Sequence, residues 1–163
     1  MSVATVDAYV GIGANLGDAQ AIVLQALQRL ADLPDSKLSG QSSLFRTAPI
    51  DAGGDDYINA VVRLETRLAP ETLLQKLQEI ENEFGRERPY INAPRTLDLD
   101  VLLYGAQQID TADLTVPHPR LTQRAFALIP LLQIDPFIVI PGKGAAHQFV
   151  PGVAEQKINR VAV

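Results

Sequence analysis

Apolar positions along the chain change period several times, and each change marks an element. Ala8–Ala14 reads as a first strand, closed by an Asn15-Leu16-Gly17-Asp18 turn. Asp18 is placed to cap a helix, along which Ala21, Ile22, Leu24, Leu27 and Leu30 recur at near-helical spacing until Pro34 ends it. Ser39–Arg46 reads as a strand. Thr47–Asp56 holds Pro49, Gly53, Gly54 and three aspartates, so a loop of about ten residues is expected, a length often tied to function. Tyr57–Leu68 alternates through Ile58, Ala60, Val62 and Leu64 as a long strand. Pro70 and Glu71 then open a helix striped by Leu73, Leu74, Leu77, Ile80 and Phe84, and Gly85 stops it.

Arg86–Arg95 is a second irregular stretch with Pro89 and Pro94. Thr96–Tyr104 is a strand, and Gly105-Ala106 turns the chain into Gln107–Asp110. Leu121–Leu132 is helical in pattern, with Pro130 disturbing its end, and Val139–Val163 gives weak signals. The order β-α-β-β-α-β, with adjacent strands lacking a helix between them, disfavours a doubly wound parallel sheet. The expected class is α+β: a ferredoxin-like βαββαβ core with a mainly antiparallel sheet, plus a C-terminal hairpin and short helix.

Composition narrows the chemistry. A chain of 163 residues suits a single domain over 1–163. Cysteine is absent and there are two histidines, His118 and His147, which removes thiolate metal sites, disulfides, cysteine catalysis and His-rich metal centres. No apolar run reaches about 18–20 residues, and Met1–Tyr9 lacks the basic start and apolar block of a signal peptide. A cytoplasmic protein away from membranes is the expectation. The net charge of −5 argues against general nucleic-acid binding. Yet Arg86–Arg124 is balanced, with five arginines against five acids, and arginine suits bidentate phosphate contacts.

The sharpest local feature is Asp98-Leu99-Asp100. In a strand, i and i+2 face the same way roughly 6.5–7 Å apart, so two carboxylates share one face while Leu97, Leu99 and Val101 enter the other. Hard oxygen donors without nearby His or Cys point to Mg²⁺, as one ion or a pair. A solvated strand face with two surface acids is the plain alternative. Arg86, Arg88 and Arg95 precede the acids, and Arg120 and Arg124 follow Val116-Pro117-His118-Pro119, which fits a metal that brings a polyphosphate. No P-loop exists, and Gly11, Gly13 and Gly17 miss the dinucleotide-binding spacing. Tyr57 and Asn59 share a strand face, where a ring can stack on a heterocycle and an amide can read its edge, although by themselves a core Tyr and a strand-end Asn are the more ordinary reading.

The set resembles the 6-hydroxymethyl-7,8-dihydropterin pyrophosphokinase family of folate biosynthesis. The matching stretches are Gly11–Gly17, Ser43–Pro49, Asp56–Ala60, Ile80–Arg88, Pro94-Arg-Thr-Leu-Asp-Leu-Asp-Val-Leu102, Pro117-His-Pro-Arg120 and Arg124-Ala-Phe126. Together they cover about residues 8–137 in order. The resemblance implies that the pterin's hydroxymethyl oxygen attacks the β-phosphorus of ATP, transferring diphosphate and releasing AMP. It implies that Asp98 and Asp100 bind two Mg²⁺ ions. Tyr57 and Phe126 would sandwich the pterin, with Asn59 reading its edge beside Thr47, Ala48 and Ile50. Gln78, Glu81, Arg88, Val101, Thr115 and His118 would surround the nucleotide, and Arg86, Arg95 and Arg124 would attend the phosphates. The family's usual Arg-Trp-Gly is replaced by Ile91-Asn92-Ala93. A monomer with ATP and the pterin as its only partners is expected. Two other readings stay open: a non-enzymatic ferredoxin-like ligand-binding module, and a two-metal phosphohydrolase on the same face.

Overall fold

In the computed structural model, residues 4–15, 17–48, 56–85 and 97–161 are described. Strand β1 (Val6–Ala14) is the inner strand on which the sheet is built, with β4 (Tyr57–Thr66) on one side and β5 (Asp98–Tyr104) on the other, both antiparallel to it. Beyond β4 lies a two-part strand, β2 (Ser36–Gln41) and β3 (Phe45–Thr47), each antiparallel to β4. The order of the four core strands, with β2 and β3 counted as one, is the antiparallel ferredoxin-like arrangement expected from the sequence.

The helices follow their stripes. Helix α1 (Ala19–Ala31) is capped as expected: the Asp18 carboxylate accepts from the Ala21 N–H at 3.1 Å. It buries Val23, Ala26, Leu27 and Leu30, and α2 (Pro70–Gly85) buries Leu73, Leu77 and Ile80. Both pack on the sheet face formed by Ala8, Val10, Ile12, Ala60, Val62, Leu64, Leu99 and Val101. Each buried leucine there contributes roughly 1.5–3 kcal/mol. Helix α3 (Ala125–Ile134) covers part of the opposite face, packing Ala127, Leu128 and Leu131 over Tyr9, Val61, Leu102 and Leu103.

Two details depart from the sequence expectation. The strand expected over Ser39–Arg46 is broken at Ser42–Leu44, because the Ser42 hydroxyl takes up the Val61 N–H at 2.9 Å in place of a backbone carbonyl. After the turn at Gly105, β6 (Ile109–Asp110) forms a small hairpin with β7 (Thr115–Val116). The helical pattern over Leu121–Leu132 divides into a 3-10 turn, Leu121–Gln123, and α3, separated by an extended Arg124. Pro130 lies within α3 and removes one hydrogen bond without ending it.

The weakly patterned tail is ordered. It forms a small hairpin of β8 (Val139–Ile140) and β9 (Gly144–Ala145), then a 3-10 segment, Ala146–Val153. It ends in β10 (Ile158–Arg160), which pairs with β3 and becomes the far edge of the main sheet.

Candidate active site

The register of three strands builds the floor of the site. Asn59, Gly13 and Asp98 lie directly opposite one another across β4, β1 and β5, and Val61, Gly11 and Asp100 form the next row on the same face. With glycine in the middle strand, no side chain rises between the amide on one side and the carboxylates on the other. Two strand spacings, about 10 Å, separate them. A Cβ on Gly13 would come within 3.0 Å of Asn59 Nδ2.

This bare floor opens into a cavity of about 640 Å³. Tyr57, Asn59, Thr47 and Ala48 line one side, Asp98 and Asp100 another, and His118, Arg120, Gln123, Arg124 and Phe126 the wall opposite the sheet. Asn59 is buried, and its Oδ1 accepts from the Thr47 hydroxyl at 2.6 Å, which fixes the amide's orientation. The Arg124 guanidinium stands 5.3 Å from the centre of the Phe126 ring, a cation–π contact that holds the two side chains together.

A bulge brings His118 to the cavity. Between Tyr9 and Val10 the β1–β5 register slips, leaving Leu102 as the extra residue, and its carbonyl accepts from the His118 N–H at 2.9 Å. The His118 Nδ1 accepts from the Arg120 N–H at 3.1 Å, which leaves Nε2–H as the donor of a neutral ring. Burial pulls the imidazole below its usual pKa; Asp100 opposes this, and Arg124 and Arg120 add to it.

The expected nucleotide residues divide. His118 and Arg124 line the cavity, whereas Gln78, Glu81, Val101 and Thr115 do not. The latter four gather along β5, against which both α2 and β7 pack. Gln78 and Thr115 are exposed, and the Val101 side chain is buried on the helix side of the sheet. Glu81 accepts from the Leu99 N–H at 2.8 Å, so it braces the backbone between the two aspartates from outside the sheet edge. Ile50, Arg86, Arg88 and Arg95 lie outside the described residues.

Several cavity residues carry no role that the sequence suggested: Gly11, Gly13, Leu102, Leu121 and Gln123. Gly-x-Gly at strand spacing was the available signal for the floor, once it is read as a missing pair of side chains and not as a phosphate loop. Among the described residues, no group of three or more His, Cys, Asp or Glu is arranged to hold a metal. The acidic side chains that line the cavity are the pair Asp98 and Asp100. The pair suits Mg²⁺, which commonly takes one or two carboxylates and completes its shell with water and substrate phosphates.

A family model described as 7,8-dihydro-6-hydroxymethylpterin-pyrophosphokinase matches residues 9–136. The chain is 37% identical over 157 residues to a 2-amino-4-hydroxy-6-hydroxymethyldihydropteridine pyrophosphokinase of Haemophilus influenzae, covering 96% of this chain and 98% of that one. Its identity to a protein of the same name from Pseudomonas aeruginosa is 41% over 134 residues, covering 82% and 83%. Among solved structures, an HPPK-DHPS in complex with substrates superposes with a TM-score of 0.78 at 13% identity. It covers 98% of this chain, which spans about half (47%) of that longer one, and at this identity the likeness is one of fold.

Proposed function

Because the chain belongs to the 7,8-dihydro-6-hydroxymethylpterin-pyrophosphokinase family, we propose that it transfers diphosphate from ATP to the hydroxymethyl group of 6-hydroxymethyl-7,8-dihydropterin, releasing AMP, in folate biosynthesis. The observation that carries this reading is the mixed lining of one cavity. Two aromatic rings and an amide, Tyr57, Phe126 and Asn59, share it with two carboxylates, Asp98 and Asp100, and two arginines, Arg120 and Arg124, over a glycine floor.

In this reading the pterin lies flat on the Gly11–Gly13 floor, between Tyr57 and Phe126, with Asn59 hydrogen-bonding its edge beside Thr47, Ala48 and Ile50. Asn59 Oδ1 is already engaged by Thr47, so its Nδ2 is the group offered to a ring acceptor. Asp98 and Asp100 hold Mg²⁺, two ions in the fuller form, and the metal when bound neutralises phosphate charge and activates the alcohol. Arg124 attends the phosphate chain, joined by Arg86 and Arg95; neutral His118 donates from Nε2. Arg88, Gln78, Glu81, Val101 and Thr115 belong to the nucleotide side along β5.

The hydroxymethyl oxygen forms a bond to the β-phosphorus and loses its proton, while the bond from that phosphorus to the α–β bridging oxygen breaks. The bridging oxygen leaves with AMP, and the pterin carries away the diphosphate. Catalysis by positioning and charge compensation needs no covalent enzyme intermediate. A monomer in the cytoplasm, a single domain over residues 1–163, completes the proposal; no helix among the described residues is long and apolar enough to cross a membrane.

The test is a product assay with ATP, Mg²⁺ and the reduced pterin. AMP should form only when all three are present. ADP as product, or ATP consumption independent of the pterin, would remove the proposal.

A further inference from the structure

The cavity wall opposite the sheet depends on a contact from the C-terminal tail. Helix α3 begins at Arg124 without a side-chain cap of its own, so its first N–H groups need partners from elsewhere. Gln156 supplies one. Its Oε1 accepts from the Ala125 N–H at 2.8 Å, and its Nε2 donates to the Gln123 carbonyl at 2.8 Å. One amide thus grips both sides of Arg124, in the turn that delivers Gln123, Arg124 and Phe126 to the cavity.

Two residues further on, the same tail enters β10, where Ile158 pairs with Thr47. Thr47 holds the Asn59 amide through its hydroxyl. A segment of three residues therefore touches both walls: Gln156 at the root of Phe126, and Ile158 at the strand that carries Thr47. Among the described residues, no other strand pairs with β3 on that side.

We infer that Gln156 is a positioning residue for pterin binding, fixing Phe126 at the distance from Thr47 and Asn59 that a flat heterocycle requires. The inference rests on the assignment of Phe126 to the pterin. Without the Gln156 clamp the Gln123–Ala125 turn loses two hydrogen bonds, and the ring it carries samples other positions. Arg124 lies in this turn and attends the phosphates, so ATP binding weakens too, but less, since the other groups proposed for the nucleotide lie outside the turn.

The experiment measures dissociation constants of 6-hydroxymethyl-7,8-dihydropterin in the presence of Mg²⁺ and α,β-methylene ATP, whose carbon bridge resists transfer. Gln156→Met, which keeps the volume and removes both bonds, should weaken pterin binding about tenfold, the factor that one to two such bonds carry. Affinity for the ATP analogue alone should fall less, by about twofold to threefold, because only Arg124 among its proposed partners lies in the turn. Gln156→Glu keeps the acceptor and loses the donor, so it should lie between the two; it carries the test if Gln156→Met does not fold. Combined with Phe126→Ala, Gln156→Met should add little, because the ring it positions is gone. Unchanged pterin affinity in Gln156→Met beside a weakened Phe126→Ala overturns the inference alone. Equal weakening of pterin and nucleotide also overturns it, since the clamp would then serve the whole turn and not the pterin ring. A Phe126→Ala protein with normal pterin affinity overturns both the inference and the assignment beneath it.

Discussion

Asn59 and Asp98 face the same cavity from opposite sides of Gly13, in register across three strands. The pairing sets how far the group that reads a heterocycle edge stands from the group that binds a cation. Because sheet register fixes that distance, it is insensitive to side-chain rotamers elsewhere.

Gly13→Ala tests the bare floor. The new methyl would come within 3.0 Å of Asn59 Nδ2, and Asn59 cannot easily yield, being buried and held through Oδ1 by Thr47. The Gly13 backbone is not in the left-handed region, so the cost to the fold is confined to the strain at Asn59. The expected result is a KM for the pterin raised about tenfold or more, with a modest loss of melting temperature. A large loss of melting temperature with unchanged KM would show that the glycine serves packing.

The carboxylate pair should dominate the rate. Asp100→Ala and Asp98→Ala should each lower kcat by about 10²–10³-fold or more, the range for removing a group that stabilises transition-state charge. Arg124→Lys, which keeps the charge and loses the fork, should cost about an order of magnitude less. Single-turnover rates across a Mg²⁺ titration check this, and comparable losses in all three variants would contradict the metal assignment.

Glu81, proposed for the nucleotide side, accepts from the Leu99 N–H at 2.8 Å. Glu81→Gln retains an acceptor and should keep most activity. Glu81→Ala leaves an edge N–H without this partner and should cost about 1 kcal/mol of stability, together with a several-fold loss of kcat as the Asp98–Asp100 segment loosens. Chemical denaturation and steady-state kinetics on both variants separate this from a nucleotide contact, which would raise KM for ATP in Glu81→Ala without a change in stability.

How far the sequence reached depended on whether a signal was local. Asp98 and Asp100 share a face because strand spacing requires it, and Asp18 caps α1 because its neighbours make a helix start. The tail was illegible for the opposite reason. Ile158-Asn159-Arg160 is too short and too polar to show alternation, and it becomes a strand because β3 offers it an edge. The clamp by Gln156 spans more than thirty positions and leaves no periodic trace. The Leu102 bulge that seats His118 depends likewise on a register slip against β1. For Ile50, Arg86, Arg88 and Arg95, which lie outside the described residues, the sequence remains the whole basis.

A polar cluster beneath the far end of α3 gives an alkaline signature. The Tyr9 hydroxyl donates to the Asp135 carboxylate, which also accepts from Arg63 Nη1 at 3.0 Å. Burial foremost, and then the Asp135 hydrogen bond and charge, hold the Tyr9 hydroxyl well above its ordinary pKa of 10. In the folded protein the proton is thus retained at pH values where the unfolded chain has lost it. The stabilisation is complete below about pH 10 and falls as pH rises further, at a limiting slope of about 1.4 kcal/mol per pH unit for one such group. Tyr9→Phe has no proton to lose, so its stability should decline less steeply above pH 10, although it starts lower for want of the Asp135 bond. Tyr104, whose pKa is also raised by burial, should keep some slope in the variant. Urea unfolding of both proteins from pH 8 to 11 measures the difference, and parallel curves would show that Tyr9 ionises as readily in the fold as in the unfolded chain.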